Sequence, residues 1–207
     1  MSTVVMMGLL AGCGVDASES PGRERVFRGI AGTCAEIAAP AMDAIRDYTG
    51  DLFSDTAEFE ETGAPSTAAG LTTKECRATY AAVAAPAAPR APYPPSRRVF
   101  HLRIALRDGE DALRAAERDF VSACASVDCR VTTGMGDESF EGSVEGSSNT
   151  AVTMFRSRNA IVSVTVDGAD FSARPGEHGH EAEISELAPG SRTVAQAMAA
   201  DLDAFLT

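Results

Sequence analysis

Two imidazoles two residues apart, in Glu177-His178-Gly179-His180-Glu181, are this sequence's nearest approach to a metal centre. On an extended strand such side chains share a face, so His178 and His180 could hold one divalent ion while a flanking carboxylate completes the shell. Gly176 precedes the pair and Gly179 divides it, which favours a loop, and a loop orders three ligands poorly. Metal binding is therefore the alternative reading, and no cofactor is expected. Other catalytic patterns are missing. The nucleophile pentapeptide Gly-x-Ser-x-Gly does not occur. Gly134-Met135-Gly136 lacks the third glycine of a dinucleotide loop and is followed by Asp137 and Glu138, which would repel a pyrophosphate, so it reads as a turn between strands. Asp51, Asp55, Glu58, Glu60 and Glu61 read as a solvated acidic face, and His101 as an outward residue of a strand. No catalytic residue is assigned.

Cys13 carries a different chemistry. Val4, Val5, Met6, Met7, Leu9 and Leu10 form a short apolar run closed by Leu10-Ala11-Gly12-Cys13. This is the pattern of a lipobox and resembles the end of bacterial lipoprotein signal peptides. The resemblance implies cleavage between Gly12 and Cys13, a thioether-linked diacylglycerol on Cys13, and anchorage at the extracytoplasmic face of the cell membrane. Two acyl chains on one residue suffice for stable anchoring. No Lys or Arg precedes the run, a departure that a start codon upstream of Met1 would repair. Residues 1–12 thus read as a signal peptide, 13–29 as a flexible tether of small and polar residues with Pro21 and Gly22, and 30–207 as one extracytoplasmic domain.

Cys34, Cys76, Cys124 and Cys129 remain, an even number in an exported chain, which argues for two disulfides. Of the three connectivities, Cys34–Cys76 with Cys124–Cys129 is preferred, because the second pair then closes one tight connection and the first ties an opening helix to a nearby strand. A tetrathiolate metal site would need close C-x2-C pairs, which Cys34 and Cys76 do not have.

The composition narrows the partners. A net charge of −12 and a pI near 4.6 oppose nucleic-acid binding, since phosphates must be neutralised by Lys and Arg. Lys74 is the one lysine and alanine abounds, a bias of GC-rich, actinobacterial genomes. With no Trp and nine Phe, the core must be aliphatic and phenylalanine-rich, and an aromatic carbohydrate platform is not expected.

These groups must be positioned by a few elements. Thr33-Cys34-Ala35-Glu36 is a capping box, and Pro40 opens a second helical stretch through Ile45 and Tyr48. Cys76 to Val83 reads as a strand, with an Ala-rich helix competing, and the prolines of 84–95 read as a polyproline-II excursion. Phe100, Leu102, Ile104 and Leu106 alternate with Val99, His101, Arg103 and Ala105, the period of a strand with one face on a core. Asp108 is expected to cap a helix carrying Leu113, Ala116, Phe120 and Cys124 on one face. Thr150–Arg156 and Ala160–Asp167 read as a hairpin turning at Ser157-Arg158-Asn159, and Val194, Met198, Leu202 and Phe205 space out a closing amphipathic helix. Adjacent strands with helices on their faces and no regular βα alternation predict an α+β fold with an antiparallel sheet.

Five features in this order give the chain a family likeness: the opening Cys helix from Cys34 to Ala44, Cys76-Arg77-Ala78-Thr79-Tyr80, Gly134 to Phe140, the hairpin Met154 to Val162, and the closing helix. Together they resemble the small actinobacterial cell-envelope lipoproteins that carry a PsbP-like α/β sandwich. These domains often place Trp where this chain has Ala78. The resemblance implies an extracytoplasmic domain that binds a ligand or protein without established catalysis, and it transfers no catalytic residue. The expected protein is a monomeric, lipid-anchored binding module for a lipid, glycolipid or protein partner. The alternative is an envelope enzyme assisted by a metal on His178 and His180.

Overall fold

The structure, a computed structural model, describes residues 26–63, 66–68, 70–82, 96–144, 149–170 and 180–207. Cys13, His178 and the proline-rich stretch 84–95 lie outside the described residues. In chain order the elements are α1 (Cys34–Ala38), α2 (Met42–Thr49), β1 (Glu60–Glu61), β2 (Ser66–Ala68), β3 (Leu71–Ala81), β4 (Arg97–Arg107), α3 (Ala112–Ala125), β5 (Val127–Thr132), β6 (Glu138–Val144), β7 (Thr150–Ser157), β8 (Ala160–Asp170), β9 (His180–Glu181) and α4 (Ile184–Ala200). The nine strands form one antiparallel sheet in the order β1-β3-β4-β8-β7-β6-β5, with β2 also on β3 and β9 on β8. Helices pack on both faces of this antiparallel sheet, an α+β arrangement.

Strand alternation decides which helix each side chain meets. Cys76, Ala78 and Tyr80 on β3, Phe100, Leu102, Ile104 and Leu106 on β4, and Val162, Val164 and Val166 on β8 point to one side, where they join Ile37, Ile45, Leu187, Val194 and Met198 of α1, α2 and α4 in the main core. α1 starts at the capping box, where the Glu36 amide donates to Thr33 Oγ1 and the Thr33 amide to Glu36 Oε2. Gly190 lets α4 approach α2, since a Cβ there would collide with the ring of Tyr48, whose hydroxyl donates to the Glu186 carbonyl at 2.9 Å. Glu141 of β6, buried, accepts from Arg192 of α4 and from Arg130 of β5, holding that helix to the sheet edge. These guanidinium hydrogen bonds hold its carboxyl below the ordinary 4.5.

The opposite face carries a smaller core under α3, where Ala116 and Phe120 pack on Ala105, Phe140, Val152 and Ile161. The Phe120 and Phe140 ring centroids lie 5.2 Å apart. The disulfide Cys124–Cys129 ties the end of this helix to β5, and Cys34–Cys76 ties α1 to β3. Both pairings are the preferred ones.

Several expectations need correction. Asp108 does not cap α3. The helix begins at Ala112 with Asp111 before it, because Gly109 at φ +97° turns the chain first and the Asp108 amide donates to the Gly70 carbonyl instead. Its inward row is Ala112, Ala116 and Phe120, with Leu113 only half-buried. The strand expected from Cys76 begins five residues earlier, at Leu71, paired along its whole length with β4. The folded domain also takes in residues assigned to the tether: Phe27 is buried in the main core, and the Gly29 amide donates to the Thr207 carbonyl at 3.1 Å.

Candidate functional site

α3 packs over β5, β7, β8 and the C-terminal part of β4, and so lies over one part of its sheet face only. On β3, β4 and β8 much of the rest of that face is polar, although Val99 of β4, on the same face, is buried. Cross-strand register places Glu75 opposite Arg103 and Arg103 opposite Ser163, and it places Arg77 opposite His101 and His101 opposite Thr165. Arg103 Nε reaches Glu75 Oε1 at 3.1 Å, and His101 Nε2 lies 3.4 Å from Asp167 Oδ2. A cleft of about 140 Å³ lies here, its polar side chains supplied by Thr62, Glu75, His101, Arg103, Ser163 and Thr165. Its groups are one guanidinium, one carboxylate, one imidazole and three hydroxyls. That set suits a polar group rich in hydrogen-bonding atoms and opposes an apolar one.

Along β4 toward its C-terminal end the face changes character. A second cleft, of about 240 Å³, is lined by Leu71, Ala105, Ala123, Met154 and Ile161, with Arg103, Arg107 and Asp119 at its margins. Arg107 Nε donates to Asp119 Oδ2 at 2.6 Å, which braces α3 over this cleft. Arg103 lines both clefts. The α3 face therefore presents a polar and an apolar cavity side by side, joined at one guanidinium. Because nearly half of the Arg103 side chain is exposed, its charge can turn toward a ligand at small desolvation cost.

The sequence-derived site residues lie elsewhere. Cys34 and Cys76 are buried in the main core and Cys124 and Cys129 sit half-buried at the β5 edge, so all four are structural. His180 stands in β9 opposite Asp170, and its neighbour His178 is outside the described residues. Among the described residues no group of three His, Cys, Asp or Glu side chains could hold a metal ion. Asp51, Asp55, Glu58, Glu60 and Glu61 are all exposed. Gly134 to Gly136 form the turn between β5 and β6, where a Cβ on Gly136 would collide with the Arg156 carbonyl. His101 does face outward, but its partners were missed. Their signal was the run Val162-Ser163-Val164-Thr165-Val166-Asp167, which alternates apolar and polar and marks a second, wet face on β8.

The fold and clefts thus define an α+β protein with helices on both faces of an antiparallel sheet, an apolar cleft walled by α3 and a polar cleft beside it on the same face. Comparison with protein-family models, curated proteins and solved structures finds no match for the chain.

Proposed function

We propose that this chain is a lipid-anchored, non-catalytic binding module on the extracytoplasmic face of a bacterial cell membrane, of the PsbP-like kind, and that its ligand is an amphiphile, a lipid or glycolipid. The observation that carries the reading is the juxtaposition of the two clefts across Arg103. A glycolipid has a headgroup for the hydroxyl-rich cavity and a chain for the cavity floored by Ala105, Met154 and Ile161. The lipobox at Leu10 to Cys13 and the two disulfides support an envelope location.

Two measurements test it. Native mass spectrometry of the protein purified from its own envelope should show a retained lipid or glycolipid mass, and Ala123→Phe, which fills the apolar cleft from the half-buried wall of α3, should lose it while keeping its circular dichroism. An empty wild type, or stoichiometric zinc in its place, would overturn the reading. Separately, metabolic labelling with palmitate should mark the wild type and not Cys13→Ser; equal labelling of both would remove the anchor.

A further inference from the structure

The point where the chain enters the domain can be placed on the sheet. The Phe27 amide donates to Asn159 Oδ1 at 2.8 Å, and the Phe27 carbonyl accepts from Asn159 Nδ2 at 2.9 Å. The same Nδ2 donates to the Arg107 carbonyl at 2.7 Å. One side chain, 1% exposed, thus fixes the first described residues to the β7–β8 turn and the last residue of β4. The Arg158 guanidinium stacks 4.8 Å from the centre of the Phe27 ring, and the Gly29 amide donates to the Thr207 carbonyl. The chain enters at the end of the sheet where β3 begins at Leu71, β4 ends at Arg107 and β8 begins at Ala160.

The apolar cleft lies at this same end, since Leu71, Arg107 and Ile161 line it. The polar cleft, with His101 and Thr165, lies farther along the strands. We infer that the Asn159 end of the sheet, with the apolar cleft, faces the lipid surface to which the chain is tied, and that the polar cleft sits on the side away from it. This orientation rests on the anchored-module reading above.

The lengths favour it. From Cys13 to Val26 the chain advances thirteen residues, which reach at most about 45 Å when fully extended. An eleven-residue strand such as β4 is about 37 Å long. For the opposite end of the sheet to meet the bilayer, the entry point would have to stand off by roughly that strand length, close to full extension of the connecting residues and at large cost in chain entropy. With the Asn159 end down no extension is required. An amphiphile drawn from that bilayer then keeps its apolar part on the membrane side and its headgroup outward.

The full chain, labelled with nitrogen-15 and coupled through the Cys13 thiol to a maleimide-headgroup lipid in a nanodisc, tests this; the other four cysteines are held in disulfides. With a gadolinium-chelate lipid in the disc, the amides of Gly70, Gly109 and Arg158 should relax several-fold faster than those of Ala81, Asn149 and Asp170. Equal relaxation at both ends, or the reverse gradient, would overturn the inference. The coupling is chemical, so this result is independent of whether a cell acylates Cys13, which palmitate labelling decides, and of what fills the clefts, which native mass spectrometry decides.

Discussion

Removing each disulfide in turn separates its loop-closure contribution from the rest of the fold. Cys34–Cys76 closes a loop with a sequence separation of 42, and Cys124–Cys129 one of only 5. In the chain-entropy model these constrain the unfolded state by about 4 and about 2 kcal/mol at 25 °C, a gap of about 2 kcal/mol. Packing acts in the same direction. Cys34 and Cys76 are 4% and 1% exposed within the main core, so replacing both with Ala also removes buried sulfur, whereas Cys124 and Cys129 are half-buried at the sheet edge and lose less. The double variant Cys34→Ala, Cys76→Ala should therefore be less stable than Cys124→Ala, Cys129→Ala by at least about 2 kcal/mol.

Urea unfolding of the two variants beside the wild type reads this directly. The long-loop variant should also show the larger m-value, because an uncrosslinked unfolded chain exposes more surface. Equal midpoints and slopes, or a less stable short-loop variant, would refute the loop-entropy reasoning. A peptide map linking Cys34 to Cys124 or Cys129 would refute its starting geometry.

Two further outcomes follow from buried polar groups. Glu141→Gln should cost about 2 kcal/mol at pH 7, less than for a fully buried pair because Arg130 and Arg192 reach solvent. Since the Glu141 carboxyl is held below its ordinary 4.5, its contribution is present above that value and fades as pH falls through the lowered one, so the gap between variant and wild type in urea unfolding should shrink on acidification from pH 7 to pH 3. Asn159→Ala removes two buried hydrogen bonds and one partly buried and should cost about 2–3 kcal/mol, with amide exchange at Phe27 accelerating more than at Ile104; unchanged exchange at Phe27 would show that the clamp is not what holds it.

Much of the scaffold was legible wherever one element carries its own pattern. The alternation from Val99 to Leu106, the capping box at Thr33, the hairpin around Arg158 and the cysteine spacing each state a local geometry, and each is found. Short elements were not legible. β1, β2 and β9 have two or three residues apiece and exist because β3 and β8 offer them an edge, which no local signal encodes. The start of α3 was misplaced because an Asp before an apolar period looks like a cap whether or not Gly109 intervenes. The clefts were illegible for a different reason. His101, Arg103, Ser163 and Thr165 are separated by sixty residues of chain and meet only through the β4–β8 register, a long-range pairing that sequence periodicity does not specify.

The clefts exist because the sheet is covered unequally. On one face α1, α2 and α4 seal a core whose largest side chains, Tyr80, Phe100, Phe155 and Phe205, are fully buried. On the other, among the described residues, a single helix offers an inward row of two alanines and one phenylalanine. Such a row can approach the sheet closely at Ala116, but it cannot fill the space out to β3, and what it leaves uncovered must be either polar or hollow. The strands meet this in two ways. Toward Asp167 the exposed lattice is charged and hydroxylated, tolerating water; toward Ile161 it is apolar and partly roofed by α3, which the Arg107–Asp119 pair and the Cys124–Cys129 bridge keep from collapsing onto it or lifting off. A bound amphiphile would complete both halves at once, supplying apolar contact where the helix is too narrow and hydrogen bonds where the sheet is wet. Its occupancy should therefore be read first in the packing of α3, through slower exchange of the Phe120 to Cys124 amides, and not in the main core, which is already full.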